Sequence, residues 1–163
     1  MLLIVYYSLT GKTAALAESL TKSLNAESVR IEDLKPRRGI FGFIRSGFES
    51  STGRLTKIKP MDTLSKAGLA DYSGVILMGP IWASNLCSPL RTFLSEYGQG
   101  IGRYGLILTC SDAVSQQEKA RISVRQLCGK SAEYQLTICS AASDIERKIS
   151  AASRDLAVIF KGE

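Results

Sequence analysis

Residues 2–13 read LLIVYYSLTGKT, an apolar run of strand length that breaks into a polar bend and then opens a helix. The run from Leu2 to Tyr7 is unbroken and rich in β-formers, as expected of a strand covered on both faces. From about Lys12 the period changes: Leu16, Leu20 and Leu24 recur every four residues beside Ala17, which is a helical stripe. A strand that feeds a polar bend at a helix start makes an anion site. The first helical N–H groups have no internal partners, and the helix dipole adds partial positive charge there. Each such charge effect is worth only ~0.3–1 kcal/mol. Backbone donors and the hydroxyls of Ser8, Thr10 and Thr13 must therefore act together. The bend reads as a phosphate cradle; the plainer alternative is an ordinary strand-to-helix turn with a threonine cap.

The candidate ligand is narrowed by what the bend lacks. The triphosphate loop G-x-x-x-x-G-K-[ST] needs a glycine five residues before Gly11, and Tyr6 stands there. The dinucleotide pattern G-x-G-x-x-G is absent from the bend. Gly98-Gln99-Gly100-Ile101-Gly102 has suitable glycines, but it follows a helix and precedes a strand, the wrong order for a dinucleotide turn. A short hydroxyl-rich bend suits a single terminal phosphate.

At 163 residues and 45% hydrophobic content the chain is long enough for one domain, 1–163, with a proper core. Neither a signal peptide nor a membrane-spanning run is expected. Four cysteines, Cys87, Cys110, Cys128 and Cys139, show no C-x-x-C spacing, and there is no histidine. Zinc sites of the Cys/His kind and histidine-dependent triads are thereby excluded. Scattered cysteines fit a reducing cytoplasm and read most simply as small buried hydrophobes. The net charge is +6. Much of the excess lies at Lys35, Arg37, Arg38, Arg45, Arg54, Lys57 and Lys59, with only Glu49 among them. This stretch is either a solvated face or a surface for an anionic partner or membrane. No nucleic-acid partner is expected.

The rest of the chain repeats the strand–helix theme. Ser28 to Glu32 alternates like a short edge strand. The excursion that follows needs elements of its own. Phe41, Ile44, Phe48 and Ser51 fall at helical spacing and predict a helix over 40–51, stopped at Gly53; a second short helix is predicted near 62–69. Tyr72 to Gly79 is the third strand. It ends in a loop, Pro80-Ile81-Trp82-Ala83-Ser84-Asn85, that carries the only tryptophan. Ser88 followed by Pro89 predicts a capped helix start. Tyr104 to Cys110 is the fourth strand, with Ser111 and Asp112 in its exit loop, and residues 132–139 are the fifth. Capping boxes at Ser115–Glu118 and Ser143–Glu146 open the last two helices. The alternation predicts an α/β fold: a three-layer α/β/α sandwich around a five-stranded parallel sheet. Ligands in such sheets bind beyond the carboxyl ends of the strands, where the strand order reverses. With the order 2-1-3-4-5, residues 8–13, 80–85 and 110–114 would meet there.

At this point the chain resembles the flavodoxin family. Tyr7-Ser8-Leu9-Thr10-Gly11-Lys12-Thr13 matches the family's S/T-x-T-G-x-T phosphate loop. Leu77-Met78-Gly79-Pro80-Ile81-Trp82, followed by Pro89, Phe93 and Leu94, is similar to its G-x-P-[IV]-W segment and helix. The alternating elements extend the likeness over nearly the whole chain. The resemblance implies FMN as cofactor. Ser8, Thr10 and Thr13, with the backbone of Leu9, Gly11 and Lys12, would hold the monophosphate. Pro80, Ile81, Trp82, Ala83 and Ser84 would border the isoalloxazine ring, and Cys110, Ser111 and Asp112 would lie on its other side, where simpler members often carry a tyrosine. The function implied is electron transfer to a redox partner protein or a small conjugated acceptor. A small FMN-dependent oxidoreductase acting on a quinone-like or tetrapyrrole-like acceptor, and a flavin-free binding or scaffold domain, are the alternatives. Electron-carrying flavodoxins are usually acidic; a basic chain should select different partners and hold its cofactor at a less negative potential.

Overall fold

A computed structural model describes residues 1–62, 64, 68–111, 117–139 and 144–162. Five parallel strands form the sheet: β1 (Leu2–Tyr6), β2 (Glu27–Arg30), β3 (Gly74–Trp82), β5 (Tyr104–Cys110) and β6 (Tyr134–Cys139). Their order is β2-β1-β3-β5-β6, the order expected of five strands taken in sequence as 2-1-3-4-5. The register is parallel throughout, with Leu3 opposite Glu27 on one side of β1 and opposite Val75 on the other. A sixth strand, β4 (Asn85–Leu86), pairs antiparallel with the end of β3.

The period-two geometry of β1 explains the layers. Leu3, Val5 and Tyr7 face one core and Leu2, Ile4 and Tyr6 the other, and the five residues of the strand are all buried. The first core is closed by Leu90, Phe93 and Leu94 of α3 (Ser88–Tyr97) and by Ala120 and Val124 of α4 (Gln117–Cys128). The second is closed by Ala17 and Leu20 of α1 (Lys12–Ser23) and by Ile149, Leu156 and Phe160 of α5 (Ile145–Lys161). Gly74 lets β3 start directly under Phe160. A Cβ there would stand 2.2 Å from the phenyl ring.

Two local expectations are corrected. The segment after Gly79 is a hairpin and not a loop. β3 runs on to Trp82 and turns back through Ala83 and Ser84, both at positive φ (45° and 64°), so that Trp82 pairs with Asn85 and Ile81 with Leu86. Two successive left-handed residues make the primed turn whose twist matches a strand pair. Ser88 is not the cap of α3. Cys87 takes that position, and Ser88 lies inside the helix with its hydroxyl committed to Arg37 and Glu49.

The orientation of α2 (Gly39–Thr52) is unusual. The helix exists almost as expected, but its apolar stripe faces solvent. Gly42, Ser46 and Ser50 are the buried positions, while Ile40, Phe41, Phe43, Ile44 and Phe48 are all exposed, Phe41 by 83%. Gly42 explains part of this inversion: a Cβ there would meet the Arg37 backbone at 2.7 Å. The predicted helix near 62–69 lies largely outside the described residues, and a 3₁₀ turn at Gly68–Asp71 leads into β3. The proposed caps Ser115 and Ser143 also lie outside them. Among the described residues no helix is long and apolar enough to cross a membrane.

Candidate functional site

The carboxyl ends of β1, β3 and β5 enclose a cavity of about 450 Å³, within the ~300–1,000 Å³ typical of small-molecule sites. It lies at the point where the strand order reverses, between β1 and β3. Of the residues singled out from sequence, Leu9, Thr10, Lys12, Thr13, Pro80, Ile81, Trp82, Cys110 and Ser111 line it. Ser8, Gly11, Ala83 and Ser84 are not on its wall. Ser8 is buried beneath the bend, and its Oγ accepts a hydrogen bond from the Gly11 N–H at 3.1 Å. Ala83 and Ser84 form the hairpin tip. Asp112 lies outside the described residues.

The bend has the shape an anion site requires. Gly11 takes φ 90° at the N-cap of α1, and no side chain caps the helix. Only a glycine adopts that conformation without strain. Among the described residues the amides of Leu9, Thr10, Lys12 and Thr13 find no partner within the chain, and the Arg30 guanidinium donates to the Ser8 carbonyl at 3.2 Å. Thr10 is exposed, whereas Thr13 is buried with its Oγ1 2.9 Å from Thr109 Oγ1 on β5. That bond joins α1 to the sheet and uses one of the hydroxyl's hydrogen-bonding directions. Among the described residues, Lys12 is the one charged side chain on the wall.

Sequence reasoning missed Leu16, Phe43, Thr109, Ile138 and Ile145, which complete the wall. Leu16 and Ile145 belong to helical stripes that read as core. Phe43 was hidden because the direction of α2 depends on a polar network and not on its apolar period.

That network centres on Arg37, whose side chain is 0% exposed. Its guanidinium donates to both Asp33 carboxylate oxygens (3.0 and 3.1 Å), to Ser46 Oγ (3.2 Å), to Glu49 Oε2 (2.6 Å) and to Ser88 Oγ (3.0 Å). Tyr7 donates its hydroxyl to Asp33 at 2.6 Å, and Arg45 donates to the other Glu49 oxygen at 2.7 Å. Trp82 is fixed by the same group. The guanidinium carbon lies 5.2 Å from the centroid of its ring, and Tyr7 meets the ring edge-on at 5.5 Å and 88°. Burial, with the hydrogen bond to Asp33 behind it, pushes the Tyr7 phenol far up, so it stays neutral. Burial also acts to raise Glu49, but hydrogen bonds from Arg45, Arg37 and Ser88 outweigh it and hold the carboxyl below its ordinary value.

No family model matches the sequence, and no curated protein matches it in sequence. Solved structures do match in shape. A flavoprotein from Lactobacillus acidophilus NCFM in complex with FMN superposes with a TM-score of 0.68 at 16% identity, covering 90% of this chain and 96% of that one. The two-electron reduced flavodoxin of Megasphaera elsdenii gives 0.59 at 15% identity, covering 95% and 99%. A WrbA-like flavodoxin protein from Agrobacterium tumefaciens gives 0.64 at 13%, covering 99% and 98%. The chain therefore has the flavodoxin-like fold.

The Glu49 contacts carry a pH prediction. A carboxyl held below its ordinary value of about 4.5 contributes stability that is complete above that value and is lost as pH falls through the lower folded value. Glu49→Gln should cost about 1.5–3 kcal/mol at pH 7, and the difference from wild type should shrink below about pH 4.5. Urea unfolding from pH 3 to 7 reads both; a difference that does not change with pH contradicts the assignment.

Proposed function

We propose that the chain binds FMN and serves as a flavodoxin-like electron carrier in a reducing cytoplasm. The supporting observation is the meeting of two unlike surfaces in one cavity. The lining includes loop amides without partners among the described residues, at a helix N-terminus, together with the Thr10 hydroxyl and the Lys12 ammonium. The same lining carries the apolar Trp82, Phe43, Ile81 and Ile138. A ligand with a single phosphate and a flat conjugated ring has that same division. One of the structures that share the fold is a complex with FMN.

The chain's own residues have separate tasks in this reading. Leu9, Thr10, Lys12 and Thr13 hold the monophosphate through backbone N–H groups, hydroxyls and one positive charge. Trp82 and Phe43 offer aromatic contact to a flat ring, worth ~0.5–1.5 kcal/mol beyond simple burial. Pro80, Ile81 and Ile138 keep water from it. FMN, when bound, supplies electron transfer in one- or two-electron steps, while the protein supplies position and electrostatics. The carrier reading is supported by the fold that the chain shares with a flavodoxin.

Reconstitution tests the proposal. Wild-type protein titrated with FMN should quench the flavin's fluorescence stoichiometrically and turn yellow. Thr10→Val with Thr13→Val should weaken binding at least tenfold, about 1.4 kcal/mol. Thr10→Val alone, at an exposed position, guards against misfolding caused by losing the Thr13–Thr109 bond. With NADPH and an acceptor, turnover should require a separate reductase. Absence of FMN binding, or full binding by both variants, overturns the cofactor assignment; direct turnover replaces the carrier with an oxidoreductase.

A further inference from the structure

Cys110 and Cys139 end the neighbouring parallel strands β5 and β6 and stand in register with one another. Their Sγ atoms are 2.8 Å apart, and both side chains are half-buried, with Cys110 on the cavity wall. Neighbouring strands lie ~4.8 Å apart, inside the ~4.4–6.8 Å range of Cα separations that disulfides span. Reaching the ~2.05 Å bond length takes less than an ångström of movement, at strand ends. We propose that Cys110 and Cys139 form a reversible two-electron thiol/disulfide couple beside the cavity that Cys110 lines.

The other two cysteines provide the contrast. Burial pushes the Cys87 and Cys128 thiols up to about 12, so neither supplies a thiolate near neutral pH. Both are fully enclosed in the core packed under α3 and α4. The oxidant is a small-molecule disulfide such as oxidised glutathione. One thiolate of the pair attacks a glutathione sulfur, giving a mixed disulfide and releasing one reduced glutathione. The second thiolate attacks the protein-bound sulfur, closing Cys110–Cys139 and releasing the other glutathione. Two protein thiols are oxidised, one external disulfide is reduced, and the two thiol protons pass to the released glutathiones.

The inference stands apart from FMN, so the experiment uses FMN-free and FMN-treated protein side by side. Each is equilibrated in glutathione redox buffers, alkylated and analysed by peptide mass spectrometry without reduction. The expected result is a Cys110–Cys139 cross-linked peptide that grows with the oxidised fraction and disappears on adding reductant, while Cys87 and Cys128 remain thiols. Cys110→Ser and Cys139→Ser should each abolish the cross-link and leave a glutathione adduct on the surviving cysteine. Thiols, or two separate adducts, at these positions in the most oxidising buffer overturn the proposal in either sample.

A second inference comes from α2. Its outward Ile40, Phe41, Ile44 and Phe48 form an exposed apolar face, continuous with Phe43 at the cavity. Of the seven cations in this region, Arg37, Arg45 and Lys59 are held by Asp33, Glu49 and Glu32. Lys35, Arg38, Arg54 and Lys57 are exposed and make no ion pair among the described residues, and no acid between 31 and 60 is left to balance them. An apolar helix face flanked by unbalanced cations suits an anionic lipid surface. Two copies packed on this face would bring like charges together. We infer that α2 seats the protein on an anionic bilayer with the cavity mouth beside it. Flotation of the full chain with phosphatidylglycerol-containing vesicles, and much less with phosphatidylcholine alone, is expected. Phe41→Ser with Phe48→Ser, and separately Lys35→Gln with Arg38→Gln, should each reduce it at least fivefold. Failure to float with anionic vesicles, flotation unchanged in the variants, or a dimer dispersed by Phe41→Ser overturns it.

Discussion

The Arg37 guanidinium is the contact on which the site end of this molecule depends. Fully enclosed, it satisfies its donors with Asp33, Ser46, Glu49 and Ser88, which belong to the segment after β2, to α2 and to the start of α3. A buried charge of this kind is costly unless its partners are complete. The arrangement is therefore closer to all-or-none than to a sum of surface ion pairs. It also places Trp82, because the same guanidinium covers the indole while Tyr7, tied to Asp33, meets its edge.

The inversion of α2 follows from that commitment. A helix whose inward face must pack Gly42 on the Arg37 backbone and present Ser46 and Glu49 to its guanidinium cannot also turn Phe41, Ile44 and Phe48 inward. The apolar stripe is left in solvent, and Phe43 reaches the rim of the cavity. Asn85 adds a second tie, donating to the Ser50 carbonyl at 3.0 Å, so the hairpin that carries Trp82 and the end of α2 are held together. The cavity wall is thus assembled by polar bonds between segments distant in sequence, on a sheet assembled by apolar burial.

That division explains what could be read in advance. The alternating elements, the layers and the bend at 8–13 were legible because each rests on a local signal, whereas the strand order came with the family resemblance. Leu2 to Tyr7 is too apolar to be anything but a covered strand, and Ser8 to Thr13 changes period within six residues. The hairpin at Ala83 and Ser84 was not legible, since neither residue type favours positive φ. The direction of α2 was not legible either. Its period suggests a helix but leaves the facing side open, and the deciding partners lie at Asp33 and Ser88. The pairing of Cys110 with Cys139 depends on register between β5 and β6, which no spacing within the chain reveals.

In the proposed function the bend at 8–13 grips a phosphate belonging to a ligand whose flat ring fills the apolar part of the same cavity. Titration calorimetry with FMN and with riboflavin, which differ only by that phosphate, tests it directly. FMN should bind at least a hundredfold more tightly, about 2.7 kcal/mol. Equal affinity for the two, or no binding of either, would contradict it.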